Sequence, residues 1–242
     1  MKKILITILT LLTISCNETP KKKGDQTEKT SQKEWVTLFD GKSFDGWHQF
    51  NETKMSSAWY IVDDAMVFDP SKQMDKKQNN DLVTDMEYTN FELSLEWNIA
   101  EGGNSGIFWG VKEGDQYRKP YTTGPEIQVL DNERHPDALA NPKFHQAGAL
   151  YDMVQPTQDV CKPAGEWNHV LLSIDHKSNK GCVALNGVEI VTFPLSGEKW
   201  DELVTNSKFS DWDHFAKFKT GKIGLQDHGD MVSYRNIKIR EL

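Results

Sequence analysis

The sequence predicts an all-β fold, an antiparallel sandwich or jelly roll formed by a single domain. Three observations carry this. In "FELSLEWNI", Phe91, Leu93, Leu95, Trp97 and Ile99 share one face while Glu92, Ser94, Glu96 and Asn98 share the other, the period of a half-buried strand. Many further short apolar runs are separated by clusters of Gly, Asn, Asp and Pro. Nowhere does strand alternate with helix, as a parallel sheet would require.

In chain order, "WVTLF" opens the folded part at Trp35. "LFDGKSFDGW" follows, with turn signals and Trp47 closing one end of the sandwich. "WYIVDDAMVF" is strand-like, and "FELSLEWNI" leads through "EGGNSG" into "SGIFWGV". "EGGNSG" lies between two strands, so it reads as a hairpin turn rather than a phosphate loop. In "EIQVL", Ile127 and Val129 point one way, Glu126 and Gln128 the other. The polar loop "NERHPDALANP" precedes "GALYDMV", the next predicted strand. "WNHVLLSI", "CVALNG" and "VEIVTFPL" come next, with Asn186-Gly187 a strong hairpin signal. Lys199 to about Lys208, after the break at Pro194, is the helical candidate. "KIGLQ" and "YRNIKI" complete the set.

The formal net charge of -8 comes with no basic stripe, which argues against a nucleic-acid partner. Eight Trp are many for 242 residues; buried ones are core, while exposed ones stack on sugar rings. Met1-Lys2-Lys3 and the apolar run Ile4 to Ile14 have the form of a signal peptide, too short for a comfortable permanent span. The ending "LLTISC" predicts a lipoprotein signal over 1–16 with Cys16 lipidated, although Thr13 stands where Leu is usual. Such an anchor places the protein in a bacterial cell envelope. Residues 17–34 hold almost no apolar side chains and read as a disordered tether to a domain over 35–242. Cys161 and Cys182 permit one bridge in an exported protein, and equally two free thiols.

Polar residues of chemical interest cluster in two places. Glu126 and Gln128 share a strand face, Asp131 follows at the strand end, and His145 and Tyr151 flank the next run. Near the C-terminus, Ile223 and Leu225 point to the core, so Gln226 and His228 take the opposite face around "LQDHG". If these strands neighbour one another, the groups converge on one concavity. A two-carboxylate glycosidase is a poor fit for Glu126 and Asp131: five residues of strand span about 16 Å, and the odd separation puts them on opposite faces, whereas such pairs sit about 5–9.5 Å apart. Glu126, Asp131, His145 and His228 are acceptable ligand types for a divalent metal ion, without a tight spacing motif to support one.

Several stretches occur together in this order: "LFDGKSFDGW", "GNSGIFW", "GPEIQVLDN", "GALYD", "AGEWNHV", "LNGVEI" and "GKIGLQDHGDMVSYRNIKIREL". With them the chain, from about residue 35 to its C-terminus, resembles the 3-keto-disaccharide (3-keto-glycoside) hydrolase family, formerly a domain of unknown function. The resemblance implies a concanavalin-like jelly roll of two antiparallel sheets, exported or lipid-anchored. It implies a glycoside already oxidised at sugar C3 by a separate oxidoreductase, then cleaved by C2 proton abstraction, elimination at C1 and hydration. On that basis His145 or His228 is the expected base, Tyr151 a donor to the leaving oxygen or the ketone, and Glu126, Gln128 and Asp131 ligands for sugar hydroxyls or a metal. Glu126 belongs with the catalytic set, Gln226 with the substrate-binding wall, and Glu126, Asp131 and His145 are the expected metal ligands. The chain reads Phe108-Trp109-Gly110 where the family pattern expects an aromatic and Arg; either Trp109 substitutes by stacking on substrate or the specificity differs, with Lys112 and Arg118 as nearby cations. The alternative is a non-catalytic carbohydrate-binding module, since the fold and the Trp content would serve it equally.

Overall fold

The computed structural model describes residues 33–74 and 79–242. The expected signal peptide, Cys16 and the tether as far as residue 32 lie outside the described residues. Along the chain run β1 (Val36–Thr37), β2 (Trp47–Gln49), β3 (Trp59–Val62), β4 (Ala65–Phe68), β5 (Leu82–Thr84), β6 (Phe91–Ile99), β7 (Asn104–Val111) and β8 (Glu126–Leu130). A short helix α1 (Pro136–Ala140) follows, then β9 (Asn168–Asp175), β10 (Lys180–Leu185), β11 (Val188–Phe193), α2 (Glu198–Thr205), β12 (Lys222–Leu225) and β13 (Val232–Glu241). The larger sheet has the order β11-β10-β9-β6-β13-β4-β3, with β1 also on β13; the smaller has the order β2-β5-β12-β7-β8. Adjacent strands pair antiparallel, as the all-β expectation required.

The hairpins follow their turn residues. Asn186 and Gly187 both have positive φ between β10 and β11, as a tight two-residue turn needs. Asp63 and Asp64 do the same between β3 and β4, tolerated because Asp visits the left-handed region more readily than most residues. "EGGNSG" is the turn from β6 to β7.

The core lies between the sheets. Phe91, Leu93, Leu95, Trp97 and Ile99 of β6 are all buried, and they face Ile107 and Trp109 of β7, Ile127 and Val129 of β8, and Ile223 and Leu225 of β12 within one cluster. The opposite face of the smaller sheet is divided. Val83, Phe108 and Val111 carry a second apolar cluster with Phe50 and Tyr117. Asn104, Glu126, Gln128 and Gln226 leave the remainder open as a pocket.

One expectation changes, and one left open is decided. "GALYDMV" forms no strand of its own; it is a turn-rich segment that bonds along β8, with Gly148 and Tyr151 N–H groups donating to the carbonyls of Gln128 and Glu126. Gly148 and Asp152 have positive φ, which breaks the extended run. Cys161 and Cys182 are free thiols, the former in the loop before β9 and the latter in β10.

Candidate active site

The pocket floor consists of outward positions on three neighbouring strands. On β8, Glu126 and Gln128 alternate with the core residues Ile127 and Val129. On β7, the same parity sends Asn104, Gly106 and Phe108 outward and Ser105, Ile107 and Trp109 inward. Beyond β12, Gln226 continues the outward face, its N–H donating to the Gly106 carbonyl at 2.9 Å. Gly106 therefore lies between the two polar sets. A Cβ there would come within 2.1 Å of Glu126 Oε1. The absence of a side chain at 106 is what makes room for the carboxyl group.

Glu126 is 8% exposed, and among the described residues no hydrogen bond or ion pair engages its carboxyl group. Burial pushes its pKa up to about 8; the Lys208 ammonium pulls the other way, and the charges of Asp81 and Asp137 add to the rise. Beside it, two buried amide oxygens, Asn104 Oδ1 and Gln226 Oε1, lack a partner among the described residues. Buried acceptors are almost always satisfied, so these two oxygens stand open to a ligand.

One wall comes from the chain after α2. Lys208, Phe209 and Trp212 all line the pocket. Phe209 stacks on Phe215 with centroids 3.9 Å apart, and Trp212 packs edge-on against both. The Lys208 N–H donates to Asp152 Oδ2 at 2.7 Å, and its Nζ sits over the Tyr151 ring, 4.0 Å from the centroid. No carboxylate pairs with that ammonium among the described residues. Trp212 and Tyr121, 5.8 Å apart, form an aromatic edge.

The other wall is "LQDHG". Asp227 forms the turn, accepting from Gly229 N–H at 2.9 Å. Its own N–H donates to the buried Asp81, which Lys119 also meets at 3.1 Å. Burial raises the Asp81 pKa to about 6 against the pull of Lys119. Gln226 and His228 on either side of Asp227 both line the pocket. The stretch is thus turn and rim together. His228 is solvent-exposed at the rim, and lost hydration on its inner side holds its pKa below the ordinary value against the pull of Asp230.

Five expected residues, Glu126, Gln128, Tyr151, Gln226 and His228, meet in one cavity of about 280 Å³, near the small end of the roughly 300–1,000 Å³ usual for ligand pockets. Others do not. His145 stands behind Tyr151, stacked on its ring at 4.3 Å, with Nδ1 2.8 Å from Asp137 Oδ1 and Nε2 2.8 Å from Asp152 Oδ1. Both nitrogens are occupied, so it supports Tyr151 instead of meeting a ligand. The Tyr151 hydroxyl itself donates to Asp137 Oδ2 at 2.9 Å; burial, then that carboxylate, raise its pKa well above the ordinary value. Asp131 ties a turn: it accepts from the N–H groups of Gly102 and Glu133 and pairs with Arg134 at 3.2 Å. Burial would raise its pKa, but these donors outweigh it and hold the carboxyl below its usual range. Trp109 is 3% exposed and stacks on Phe193 between the sheets, so it cannot stack on a sugar. Glu126, Asp131 and His145 do not form a metal cluster, because Asp131 and His145 are committed to these other partners.

Sequence reasoning missed Asn104, Tyr121, Lys208, Phe209 and Trp212. Asn104 was legible from parity, once Ile107 is set in the core. "KFSDWDHF", aromatic and polar residues mixed without strand or helix periodicity, was the other available signal.

A family model described as a 3-keto-alpha-glucoside-1,2-lyase-like domain matches residues 34–240. A protein of Bacteroides thetaiotaomicron named 3-keto-disaccharide hydrolase is 35% identical over 231 residues, spanning 86% of this chain and 78% of the relative. A crystal structure from Parabacteroides distasonis ATCC 8503, provisionally described as a glycosyl hydrolase, superposes with a TM-score of 0.78 at 30% identity, covering 86% of this chain and 94% of that one. A Bacillus subtilis protein of galectin-like fold matches at TM-score 0.51 and 13% identity, over 86% of this chain and 94% of its own, and speaks for the fold alone. The chain belongs to the 3-keto-alpha-glucoside-1,2-lyase-like family and is a glycoside hydrolase-like enzyme on a concanavalin-like jelly roll.

Proposed function

We propose that the pocket cleaves 3-keto-glycosides by elimination, with Glu126 as the base that removes the C2 proton. The observation that carries this is the charge content of the pocket: among the described residues lining it, Glu126 is the one carboxylate and Lys208 the one lysine or arginine. Two carboxylates would be needed for ordinary glycoside hydrolysis. One base and one cation suit proton abstraction next to a ketone.

The C3 ketone acidifies the C2 proton. Glu126 takes that proton, and the electron pair moves onto the C3 oxygen as an enediolate. The Lys208 ammonium faces the pocket without a carboxylate partner and stabilises this developing oxyanion. Collapse restores the ketone, forms the C1–C2 double bond and breaks the C1–O bond; the departing oxygen receives the proton that Glu126 carries. Water then adds at C1 while C2 regains a proton, giving net hydrolysis. This order accounts for both the lyase wording of the family description and the hydrolase name of the Bacteroides relative. Gln128 and Gln226 take sugar hydroxyls, and Trp212 with Tyr121 stacks on a ring face.

A carboxyl pKa near 8 makes Glu126 a stronger base than an ordinary carboxylate once ionised. It also sets the direction of the pH profile: kcat/KM rises with pH through about 8 as the carboxylate forms. The substrate requires a preceding sugar C3 oxidation, and Cys16 anchoring would place the step at the bacterial envelope. The test compares a 3-keto-disaccharide with its unoxidised parent. Release of sugar from the keto form alone is expected. Cleavage of the parent, or binding of keto-glycosides without cleavage, would sink the reading; the latter outcome would make the protein a carbohydrate-binding module.

A further inference from the structure

We propose that His135, His228 and Asp230 form a binding site for one divalent first-row transition-metal ion at the mouth of the pocket. Each of the three offers a ligand atom, and these atoms all lie within 4.8 Å of one another. Ligands held about 2.0–2.3 Å from one ion lie roughly 3–4.5 Å apart, so small side-chain rotations complete the set.

The fold brings these residues together from two separate loops. Gly229 has a φ of 86°, a conformation that L side chains rarely adopt, and it joins His228 to Asp230. His135 comes from the start of α1, with its ring edge-on to His228 at 6.1 Å. An outer contact orients Asp230, as is usual around metal ligands, while His135 is held by a contact that belongs to the ion-free state. Asn104 N–H donates to Asp230 Oδ2 at 3.1 Å, and Asp137 N–H donates to His135 Nδ1 at 3.1 Å.

A second, independent observation points to a ligand here. Asn104 is 3% exposed, its Oδ1 has no partner, and it lines the same cavity as His135 and His228. An amide oxygen is an oxygen donor without charge. Two imidazoles and one carboxylate, with an amide oxygen lining the same cavity, make a nitrogen–oxygen set that suits zinc, manganese or cobalt better than calcium or magnesium, which prefer oxygen alone.

Loading has a local consequence. His135 Nδ1 now accepts the Asp137 N–H at the start of α1. If Nδ1 takes the ion, that lone pair is used. If Nε2 takes it, the ring proton must sit on Nδ1. Either way the hydrogen bond to Asp137 is given up, so the Asp137 amide signal must move on binding.

This inference goes beyond the proposed reaction and does not rest on it. Chelator-stripped protein is titrated with Zn²⁺ and with Mn²⁺ by calorimetry. One ion per chain is expected, weakened at least tenfold in Asp230→Asn and in His135→Ala, and unchanged in His214→Ala, an exposed histidine outside the cluster. Circular dichroism and the unfolding midpoint ensure that only folded variants are compared. Crystals soaked in Mn²⁺ should show an anomalous peak among the three side chains. Absence of binding, or equal affinity in Asp230→Asn and His135→Ala, overturns the site. No cleavage assay enters, so failure of the catalytic reading leaves this result standing.

Discussion

In the proposed reaction Glu126 is the base, and the stability cost of holding it in the pocket is measurable. Its carboxyl is buried and has no hydrogen-bond or ion-pair partner among the described residues, with a folded pKa of about 8 against an ordinary 4.5. A carboxyl whose folded pKa is raised favours the folded state fully below the unfolded value and loses that contribution as pH rises through the folded one. Wild-type stability should therefore decline between about pH 4.5 and 8 relative to Glu126→Gln. At pH 9 the variant should be more stable by the order of 2–4 kcal/mol, read from paired denaturant titrations; equal curves at pH 5 and pH 9 would refute the shift. The same variant should lose about 10²–10⁴-fold in kcat on a 3-keto-disaccharide. Lys208→Met should lose about 10²–10³-fold, as for one oxyanion donor, with the loss in kcat rather than KM. A change confined to KM would make Lys208 a binding residue.

At the level of elements, the site depends on strand parity and on one missing side chain. Gly106→Ala sets a methyl group 2.1, 2.7 and 2.9 Å from Oε1, Cδ and Cγ of Glu126, so the side chain must turn from Cβ outward. The side chain can swing, so stability should change by less than about 1.5 kcal/mol while turnover falls. A variant that keeps its activity would show that the position of Glu126 over β7 is dispensable. β6 carries the opposite kind of load. Leu95 is fully buried between the sheets, so Leu95→Ala should cost about 2–5 kcal/mol and lower Tm by roughly 5–15 °C for a domain of this size. Scanning calorimetry checks this. The alternation of β6 and β8 was legible because each strand buries one face and wets or functionalises the other. "GALYDMV" was misread as a strand because its apolar residues bury against β8 and the core while Gly148 and Asp152 turn the backbone, and apolar content alone cannot distinguish the two.

Over the whole molecule, two sheets separate burial from chemistry. The larger sheet and the inner face of the smaller one make the core, and the outer face of the smaller one carries the pocket. The family match begins at residue 34, and Lys33 Nζ already pairs with Glu241 at 2.6 Å. A protein lacking residues 1–32 should therefore fold and turn over substrate as the full chain does, checked by circular dichroism and the keto-disaccharide assay. Cys16→Ser in the full chain should move the protein from the membrane fraction to the soluble one. Retention in the membrane would reject lipid anchoring.

The sequence by itself determined the all-β class, the inward and outward faces of β6, β8 and β12, and the pairing of Glu126 with Gln128 and of Gln226 with His228, because a period of two is a local property of an extended chain. The same rule, applied to Ile107 in β7, would have turned Trp109 into the core. Tertiary structure alone decided that β7 runs between β8 and β12, that the segment after α2 folds over the floor with Lys208 and Trp212, and that Asp131 and His145 hold loops together. It also brought His135 beside His228, 93 positions later in the sequence. These depend on strand order and loop docking, which nonlocal burial decides and no single stretch of residues encodes.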